Sequence, residues 1–360
     1  MLGNASQSYT HSVEEQALSV DPWEVKLRQV SPGPFLGSMQ IVSLGDILLY
    51  RDCWSQRTIA TGALPGGYFM LGSGARPGSG IDWCGSNVEG HLLALAPPEA
   101  EVDFIIPSNS PYLALLLPVH YLNLFFDGSH DKKPYMSGLH HFQCNPRLGD
   151  RLLARLNQII DACQANPELQ IDPEKQRAAQ ICVLDDLAEA GFGYAQGQRP
   201  IRLSARRQTL KRALEYGESV QEKISVPEFA ARLAVSQRSL ELAFREFLGV
   251  TPRQYLNYRR MHGVHSALRH RPPGARCVTE VANAWGFSEL GRFAGEYRRL
   301  FGELPGATLR REQPRDSQSL RDLLHLELPG VLNRLVTLPF ATPQTRQQFS
   351  QSSRTPPARR

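Results

Sequence analysis

The chain has 360 residues, of which 41% are hydrophobic, and a formal net charge of +5. This length is typical of two or more domains, and the longest apolar run, YLALLLPV, is too short to span a bilayer. The six cysteines are widely separated and form no C-x-x-C pair, and the first residues show no basic region followed by an apolar run. These features favour a soluble cytoplasmic protein with reduced thiols over a secreted, disulfide-linked or zinc-binding protein.

The charge is divided unevenly between two parts of the chain. Residues 1–199 carry 13 Lys and Arg against 21 Asp and Glu, whereas residues 200–311 carry 20 against 10. A basic block after an acidic one predicts a polyanion-binding module attached to a domain that does not bind polyanions.

The first 145 residues have the composition of a β-rich domain. Residues 1–20 are polar and are expected to be loose. Between residues 21 and 145, runs such as MQIVSLGDILLYRDC alternate with turn residues, which predicts a sandwich or barrel. Trp54, Phe69 and Trp83 are candidates for the wall of a small-molecule pocket, although aromatic side chains in such a domain more often belong to the core.

Two weaker motifs in this region favour ordinary structural roles. The stretch GSGARPGSG at residues 72–80 lacks the G-K-[ST] end of a phosphate-binding loop and is expected to be a flexible hairpin loop. His140 and His141 have no third ligand at suitable spacing, which favours a turn with surface histidines over a metal site. Neither a metal nor a cofactor is therefore expected.

Residues 146–190 have the pattern of two helices. The first carries Leu148, Leu152, Leu156, Ile159 and Ile160 on one stripe after an Asn-Pro start. This stripe either packs on the β-rich domain or forms a dimer seam. Residues 191–208 have the composition of a linker, and the Gln/Ser/Pro/Arg-rich tail at residues 312–360 is expected to be partly disordered, with one short helix inside it.

The basic block contains an internal repeat. Its two copies begin at an offset of 52, with VPEFAARLAVS at residues 226–236 and VTEVANAWGFS at residues 278–288. Val, Glu, Ala and Ser are identical in the two segments, and three further positions are apolar in both. After one inserted residue, an amphipathic stripe ended by Gly and Pro follows in both copies. Each copy therefore predicts a short helix, a tight turn and a second helix, and a long helix is expected between them from Thr251 to before Pro272.

Serines are expected to cap these helices. Ser225 with Glu228 three residues later forms a capping-box pattern, and Ser236 precedes the second helix of the first copy. Ser288 is the corresponding cap in the second copy. The capped N-terminal turns present polar side chains outward, as a helix that enters the major groove of DNA requires.

The residues from about 205 to 311 resemble the DNA-binding domain of the AraC/XylS family of bacterial transcription regulators. The stretches SQRSLELAFREFLGVTPRQYL and VANAWGFSELGRFAGEYRRLFGELP are similar to that family's two recognition-helix motifs. The whole chain also resembles, more weakly, the ethanolamine-utilisation operon regulators of this family. The resemblance implies an α+β protein with a β-rich, cupin-like sensor domain, a helical pair and an all-α tandem helix-turn-helix domain at residues 209–311. It also implies a small-molecule effector, dimerisation, promoter DNA and RNA polymerase as partners, activation rather than repression, and association with the nucleoid of a bacterial cell.

The resemblance also implies which residues meet DNA. The matching positions are Gln237, Arg238, Ser239 and Leu242 in the first motif, and Leu290, Gly291, Arg292 and Gly295 in the second, with Arg245 and Arg298 placed for phosphate. Arg238 can form bidentate hydrogen bonds with guanine and Gln237 with adenine, whereas Leu242 offers an apolar contact such as that to a thymine methyl.

The second motif departs from the family pattern because two of its base-facing positions are glycines. Each glycine in a helix costs about 1 kcal/mol relative to alanine. Arg292 is the only side chain among these four positions that can form a hydrogen bond with a base, and it can equally belong to a solvated or phosphate-contacting face with Arg298 and Arg299. We therefore expect the second helix to dock on the DNA backbone and the first to read the sequence.

Two other classes of protein use a similar DNA-binding module. A DNA-repair methyltransferase needs an activated cysteine, and Cys144 beside His140 and His141 comes nearest to that setting. A purely architectural DNA-binding protein would have an inert N-terminal domain.

Overall fold

The N-terminal part of the protein is built from two antiparallel sheets. The computed structural model describes residues 6–20, 23–75, 80–88, 92–125, 139–170, 172–192, 198–200, 203–220, 223–270 and 277–310, which all belong to one compact unit. The expectations for the tail at 312–360 and for the middle of the loop at 72–80 lie outside these residues.

The strands follow one another through most of the N-terminal part. They are β1 (Ser6–Thr10), β2 (Glu24–Gln29), β3 (Gly37–Leu44), β4 (Ile47–Trp54), β5 (Thr58–Ala63), β6 (Tyr68–Gly74), β7 (Ile81–Trp83), β8 (Ser86–Val88), β9 (Leu92–Ala96), β10 (Glu101–Ile106), β11 (Tyr112–Pro118), β12 (His140–Gln143) and β13 (Gln198–Pro200). The first sheet has the order β1-β3-β4-β11-β6-β9-β12-β13 and the second the order β2-β5-β10-β7-β8. The expected β-rich domain is thus confirmed.

Both faces of the first sheet are covered at its central strand β11, which explains why β11 is buried at every position. In β11, Tyr112 and Ala114 face the second sheet, while Leu113 and Leu115 face the helices on the other side. Because side chains alternate along a strand, the continuous run YLALLLP serves two cores at once.

Two helices cover the outer face of the first sheet. They are α3 (Pro146–Ala165) and α4 (Pro173–Glu189), preceded by the short α2 (Leu122–Phe125). The stripe of α3 packs with Leu49, Phe69 and Leu115 of the sheet. Asn145 caps α3 by accepting a hydrogen bond from the Arg147 amide (3.0 Å). Between the two expectations for this stripe, the structure therefore shows packing on the protein's own β-rich domain.

The N-terminal segment is ordered structure rather than a loose arm, so the expectation for residues 1–20 is wrong from Ser6 onward. β1 pairs with β3, and α1 (Val13–Ser19) follows with Ser12 as its N-cap. The helix buries only Val13 and Gln16, and Gln16 is fully buried. Because the buried face of this helix includes a glutamine, the sequence shows no apolar stripe here. The polar composition of residues 1–20 therefore wrongly predicts a loose segment.

The segment expected as a linker is also partly structured. Phe192 is buried and its ring lies 5.8 Å from that of Phe69, and β13 pairs with β12 at the edge of the first sheet. The first C-terminal helix begins at Ala205, before the expected boundary at residue 209.

The C-terminal part is entirely helical where it is described. Its helices are α5 (Ala205–Ser219), α6 (Val226–Arg232), α7 (Gln237–Leu248), α8 (Pro252–His270), α9 (Val278–Ala284), α10 (Leu290–Phe301) and α11 (Pro305–Arg310). The pairs α6–α7 and α9–α10 are the two helix-turn-helix units that the repeat predicts, and α8 connects them.

Local sequence signals set the ends of these helices. Gly249 and Gly302 stand at repeat-equivalent positions after α7 and α10, and both are left-handed, with φ of 71° and 77°. Thr251 begins α8 by accepting a hydrogen bond from the Gln254 amide (3.2 Å) and donating its own amide to the Gln254 side chain (2.9 Å). A residue with positive φ at the end of a helix stops its propagation, and glycine adopts it without steric penalty.

Candidate nucleic-acid interface and effector cavity

The first recognition helix, α7, presents its N-terminal turns to solvent. Leu240, Phe244 and Leu248 are buried, whereas the five predicted DNA-contacting residues are exposed, namely Gln237, Arg238, Ser239, Leu242 and Arg245. Ser236 caps the helix as expected, since its hydroxyl accepts a hydrogen bond from the Ser239 amide (3.0 Å). Leu242 is 40% exposed, which is unusual for a leucine on a helix with a large core face. The geometry therefore leaves this face open to a partner.

Arg245 is engaged on its own helix. Its guanidinium donates two hydrogen bonds to Glu241 Oε1, at 3.0 and 2.9 Å. An exposed i,i+4 pair of this kind contributes little to stability, so a phosphate can replace the carboxylate at little cost.

The second recognition helix, α10, also exposes all its predicted positions: Leu290, Gly291, Arg292, Gly295 and Arg298. A Cβ atom built on Gly291 or Gly295 meets no atom within 4 Å, so this face is flat and open. Arg292 Nε donates to Glu296 Oε1 (2.9 Å), and Asn257 of α8 donates to the other Glu296 oxygen (2.8 Å).

One capping prediction for α10 is wrong. The N-cap residue is Glu289 and not Ser288, and no side chain caps this helix. The inserted residue that shifts the repeat from an offset of 52 to 53 lies here, so the helix starts one position later than the alignment of serines suggests. Ser225, in contrast, caps α6 through the Glu228 amide (3.3 Å).

A cleft of about 620 Å³ separates the two helix-turn-helix units and is rich in basic side chains. Its cationic lining residues are Lys223, Arg253, Arg259, Arg260, Arg292 and Arg299. Sequence reasoning assigned only Arg292 and Arg299 to this face. The connecting helix α8 carries three of the others, Arg253, Arg259 and Arg260. The spacing of basic residues along α8 is the sequence signal that could have identified them.

The space between the two sheets contains a second candidate site. A small cavity of about 20 Å³ is lined by aromatic and aliphatic side chains and one carboxyl group. The aromatic residues are Trp23, Tyr50, Trp54, Phe104 and Tyr112, the aliphatic ones are Val20, Val25, Leu27, Ile106 and Ala114, and the carboxyl group is that of Asp52. Asp52 is buried, and Gln16 of α1 donates a hydrogen bond to its Oδ1 (3.0 Å). Burial raises the pKa of Asp52 to about 7, although the Gln16 hydrogen bond lowers it in part.

The three predicted pocket residues lie in different places in the structure. Trp54 lines the cavity. Trp83 faces the same core but stacks on Phe104 at 4.9 Å instead of lining the cavity. Phe69 is wrong as a pocket residue, because it points to the opposite face of the sheet and packs with Phe192 under the helical pair.

Asp52 is the residue that sequence reasoning missed. In β4, Tyr50, Asp52 and Trp54 share one face, and Arg51 points the other way to donate to Asn157 (3.0 Å) and Asp161 (2.6 Å) of α3. A charged residue in phase with two aromatic residues of a strand is the signal that was available.

Helix α1 connects the β-rich domain with the connecting helix α8. Glu14 Oε1 lies 3.0 Å from His265 Nδ1, and Arg269 donates to Glu15 (2.8 Å). Burial acts to raise the pKa of Glu14, but the hydrogen bond and charge of His265 more than offset it and lower that pKa to about 2. The same short helix thus contacts the cavity through Gln16 and the C-terminal domain through its two glutamates.

The second sheet contacts the helical C-terminal part through Arg207 of α5. Its buried guanidinium pairs with Asp82 of β7 (2.8 Å) and with Asp103 of β10. Such a pair is expensive to break, because removal of one partner leaves a buried charge uncompensated.

The β-rich domain also binds the main chain at the ends of both recognition helices. Arg57 lies 3.5 Å from the Phe247 carbonyl of α7, and Gln29 donates to the Leu300 carbonyl of α10 (2.8 Å). Phe247 and Leu300 are equivalent in the repeat. His262 donates to the Gln29 carbonyl (2.9 Å), and burial, with the charge of Arg28, lowers its pKa to about 4, so the imidazole is neutral.

The histidine pair is not a turn with surface residues. His140 and His141 lie in β12, His140 is buried, and His141 Nδ1 is 3.1 Å from the Ser86 hydroxyl. Within the described ranges, no group of three or more potential metal ligands comes together, and no helix is long and apolar enough to cross a membrane.

The C-terminal part has two helix-turn-helix units joined by a long helix, with exposed recognition helices and a basic cleft. These features define a DNA-binding domain. Residues 229–311 match the family model of a helix-turn-helix domain. This part of the chain is therefore a helix-turn-helix DNA-binding domain.

The known proteins similar to this chain are transcription regulators. The probable thc operon regulatory protein of Rhodococcus erythropolis is 40% identical over 99 residues, which are 27% of this chain and 30% of the relative. The XylDLEGF operon transcriptional activator 2 of Pseudomonas putida is 41% identical over 92 residues, which are 26% of this chain and 59% of the relative. A solved structure of a probable AraC family regulator from Rhodopseudomonas palustris is 31% identical, with a TM-score of 0.28, over 30% of this chain and 99% of that one.

The matched segments span 30% and 59% of the length of these two sequence relatives. The two sequence relatives support the resemblance of the DNA-binding domain to the AraC/XylS family. The narrower resemblance to ethanolamine-operon regulators is not shown.

Proposed function

We propose that this protein is a transcription regulator in which a small molecule bound by the β-rich domain controls promoter binding by the helix-turn-helix domain. The observation that carries the proposal is the pair of exposed recognition helices joined by one long helix, with a basic cleft that α10 and the connecting helix α8 line. As in the relatives named as activators, the DNA-bound protein would act as an activator that recruits RNA polymerase, in a homodimer.

The two recognition helices have different roles in this proposal. Gln237 and Arg238 at the start of α7 are exposed and read base edges, Arg238 with about 1–3 kcal/mol of discrimination if it pairs with guanine. On α10, Gly291 and Gly295 allow the helix to approach the DNA backbone closely, and Arg298 contacts phosphate.

Control would act through the contacts between the domains. The β-rich domain binds the ends of both recognition helices and the connecting helix, so a shift of its second sheet or of α1 changes how the two units face DNA. The linker does not have to be flexible for this, because the contacts themselves transmit the change.

The test is a gel shift with promoter fragments from the gene's neighbourhood. Arg238→Ala should weaken binding to the preferred fragment by about tenfold or more and reduce discrimination between fragments. Arg177→Ala on α4 removes the same charge from an exposed site in the other domain and should leave binding unchanged. Wild-type binding of every fragment by Arg238→Ala would refute the assignment of this residue.

The methyltransferase alternative gains no support from the thiols. Burial raises the pKa of Cys144 to about 11 and that of Cys84 to about 12, whereas a nucleophilic cysteine needs a lowered pKa. The similar proteins are also regulators and not enzymes.

A further inference from the structure

The cavity between the sheets contains a buried carboxyl group without a cationic partner. Asp52 is 7% exposed, and among the described residues no lysine, arginine or histidine forms an ion pair with it. Its hydrogen-bond partner is the neutral amide of Gln16. A buried carboxyl group in such a place either keeps its proton or pairs with a cation that enters the cavity.

The walls of the cavity suit a cation. Trp23 and Tyr50 meet edge to face with ring centres 6.1 Å apart, and the rings of Phe104 and Tyr112 stack at 5.9 Å. Together with Trp54 they surround the space beside Asp52. Aromatic faces attract ammonium groups, and a group of such faces with a carboxylate is a typical receptor for an organic cation.

Two of the lining residues also carry unused hydrogen-bond donors. The indole N–H groups of Trp23 and Trp54 are buried and have no acceptor among the described residues. Buried donors in folded proteins are usually satisfied, so an oxygen atom of a bound molecule or a water would complete them. An anionic ligand is disfavoured, because Asp52 would repel it and no cationic side chain lines the cavity.

We propose that this cavity binds a small organic cation, such as a protonated amine, whose ammonium group replaces the Gln16 amide at Asp52. This inference rests on the proposed effector control and assigns the chemical class of the effector.

Binding requires a movement of α1. The cavity of about 20 Å³ has room for about one water molecule, and Gln16 is fully buried beside Asp52. A cation that reaches Asp52 therefore displaces the Gln16 side chain, and with it the helix that carries Glu14 and Glu15. These two glutamates contact His265 and Arg269 of the DNA-binding domain, so the same displacement alters the contact between the domains.

The test compares ligands of one size and different charge on the full-length protein. Propylammonium and benzylammonium are titrated beside the neutral 1-propanol and benzyl alcohol and the anionic butanoate and benzoate, by calorimetry and by thermal melting. The cations should bind and raise the melting temperature, and the alcohols and carboxylates should not. Preferential binding of a carboxylate or an alcohol, or no binding of either cation, overturns the proposal.

Two variants locate the site. Asp52→Asn should weaken cation binding by at least about tenfold, the factor that corresponds to one charge-assisted hydrogen bond. Gln16→Ala removes the competing amide and should tighten binding, which tests the site independently if Asp52→Asn folds poorly. Asp46→Asn removes a carboxylate that Tyr121 and Gln180 bind outside the cavity, and it should leave the affinity unchanged. Equal cation binding by wild type and Asp52→Asn refutes the site.

A gel shift on the same samples separates this proposal from the proposed function. If wild-type protein binds promoter DNA but no cation, only the ligand class is refuted. If the cation binds but DNA does not, the proposed regulator fails while the cavity assignment stands.

Discussion

Replacing Asp52 by asparagine should change how the stability of the protein depends on pH. Burial raises the pKa of this carboxyl group from 3.8 to about 7 in the folded protein. The folded state therefore keeps the proton between pH 4 and 7, while the unfolded state releases it. Folding stability from this group is present below pH 4 and is lost as the pH rises to 7. Asparagine has nearly the same shape as aspartic acid, but its side chain does not titrate. The variant should therefore not lose stability between pH 4 and pH 7 from this position.

The magnitude follows from the size of the shift. Each pKa unit is worth about 1.36 kcal/mol, so a shift of about three units corresponds to about 4 kcal/mol between pH 4 and pH 8. Tyr112 also lines the cavity, and burial raises its pKa well above the ordinary value, so it remains neutral throughout this range. At pH 8 the variant should be the more stable protein.

Urea denaturation of both proteins at pH 5 and pH 8 measures this effect, in buffers without amines. Tryptophan fluorescence is a suitable signal, because Trp23, Trp54 and Trp83 of the four tryptophans are buried in the β-rich domain. Groups other than Asp52 titrate equally in both proteins and cancel in the difference. The same pH dependence in wild type and variant would show that Asp52 has an ordinary pKa and refute the reasoning.

Three further substitutions test the interface, the packing and the contact between the domains. Gly295→Arg should reduce promoter binding in gel shifts by about tenfold, because a long side chain would stand between α10 and DNA. Gly263→Ala should lower the free energy of unfolding by about 1–3 kcal/mol in denaturation experiments, since its Cβ would lie 2.2 Å from the Trp285 ring. Glu14→Gln should speed amide hydrogen exchange in α1 and α8 at pH 7 by about tenfold, because it removes the carboxylate that contacts His265.

Each of these substitutions has a matched control. Gly306→Arg places the same charge on α11 and should not affect DNA binding. Gly291→Ala stands in open space and should stabilise the protein by up to about 1 kcal/mol. Glu174→Gln changes an exposed glutamate on α4 and should leave exchange in α1 unchanged. An equal effect in variant and control would contradict the corresponding prediction.

The helix-turn-helix domain could be predicted closely because its signals are local. Phe293, Tyr297 and Leu300 mark the buried side of α10 at helical spacing, and Gly302 ends the helix by its positive φ. The error at Ser288 amounts to one residue and arose where the two copies of the repeat differ in length.

The β-rich domain could be predicted only as a class. Which aromatic side chains face one another depends on strand register and on which sheet lies opposite, and both are set by residues distant in sequence. Phe69 therefore lies on the opposite face of the sheet from the cavity, whereas Trp54 lines the cavity. The error at α1 has the same origin, since its buried Gln16 becomes understandable only with Asp52 and Thr10 as partners.

The sequence by itself determined the two helix-turn-helix units, the caps Ser225 and Ser236 and the exposed faces, because periodicity and end signals act within a few residues along the chain. Only the tertiary structure decided where the chemistry of the N-terminal domain lies. The burial of Asp52 among aromatic rings, and its connection through α1 to His265 and Arg269, join segments more than 200 residues apart. Such contacts form because polar groups in the packed core are shielded from water and need hydrogen-bond partners within the protein. The pattern of residues along the chain does not show which partners these are.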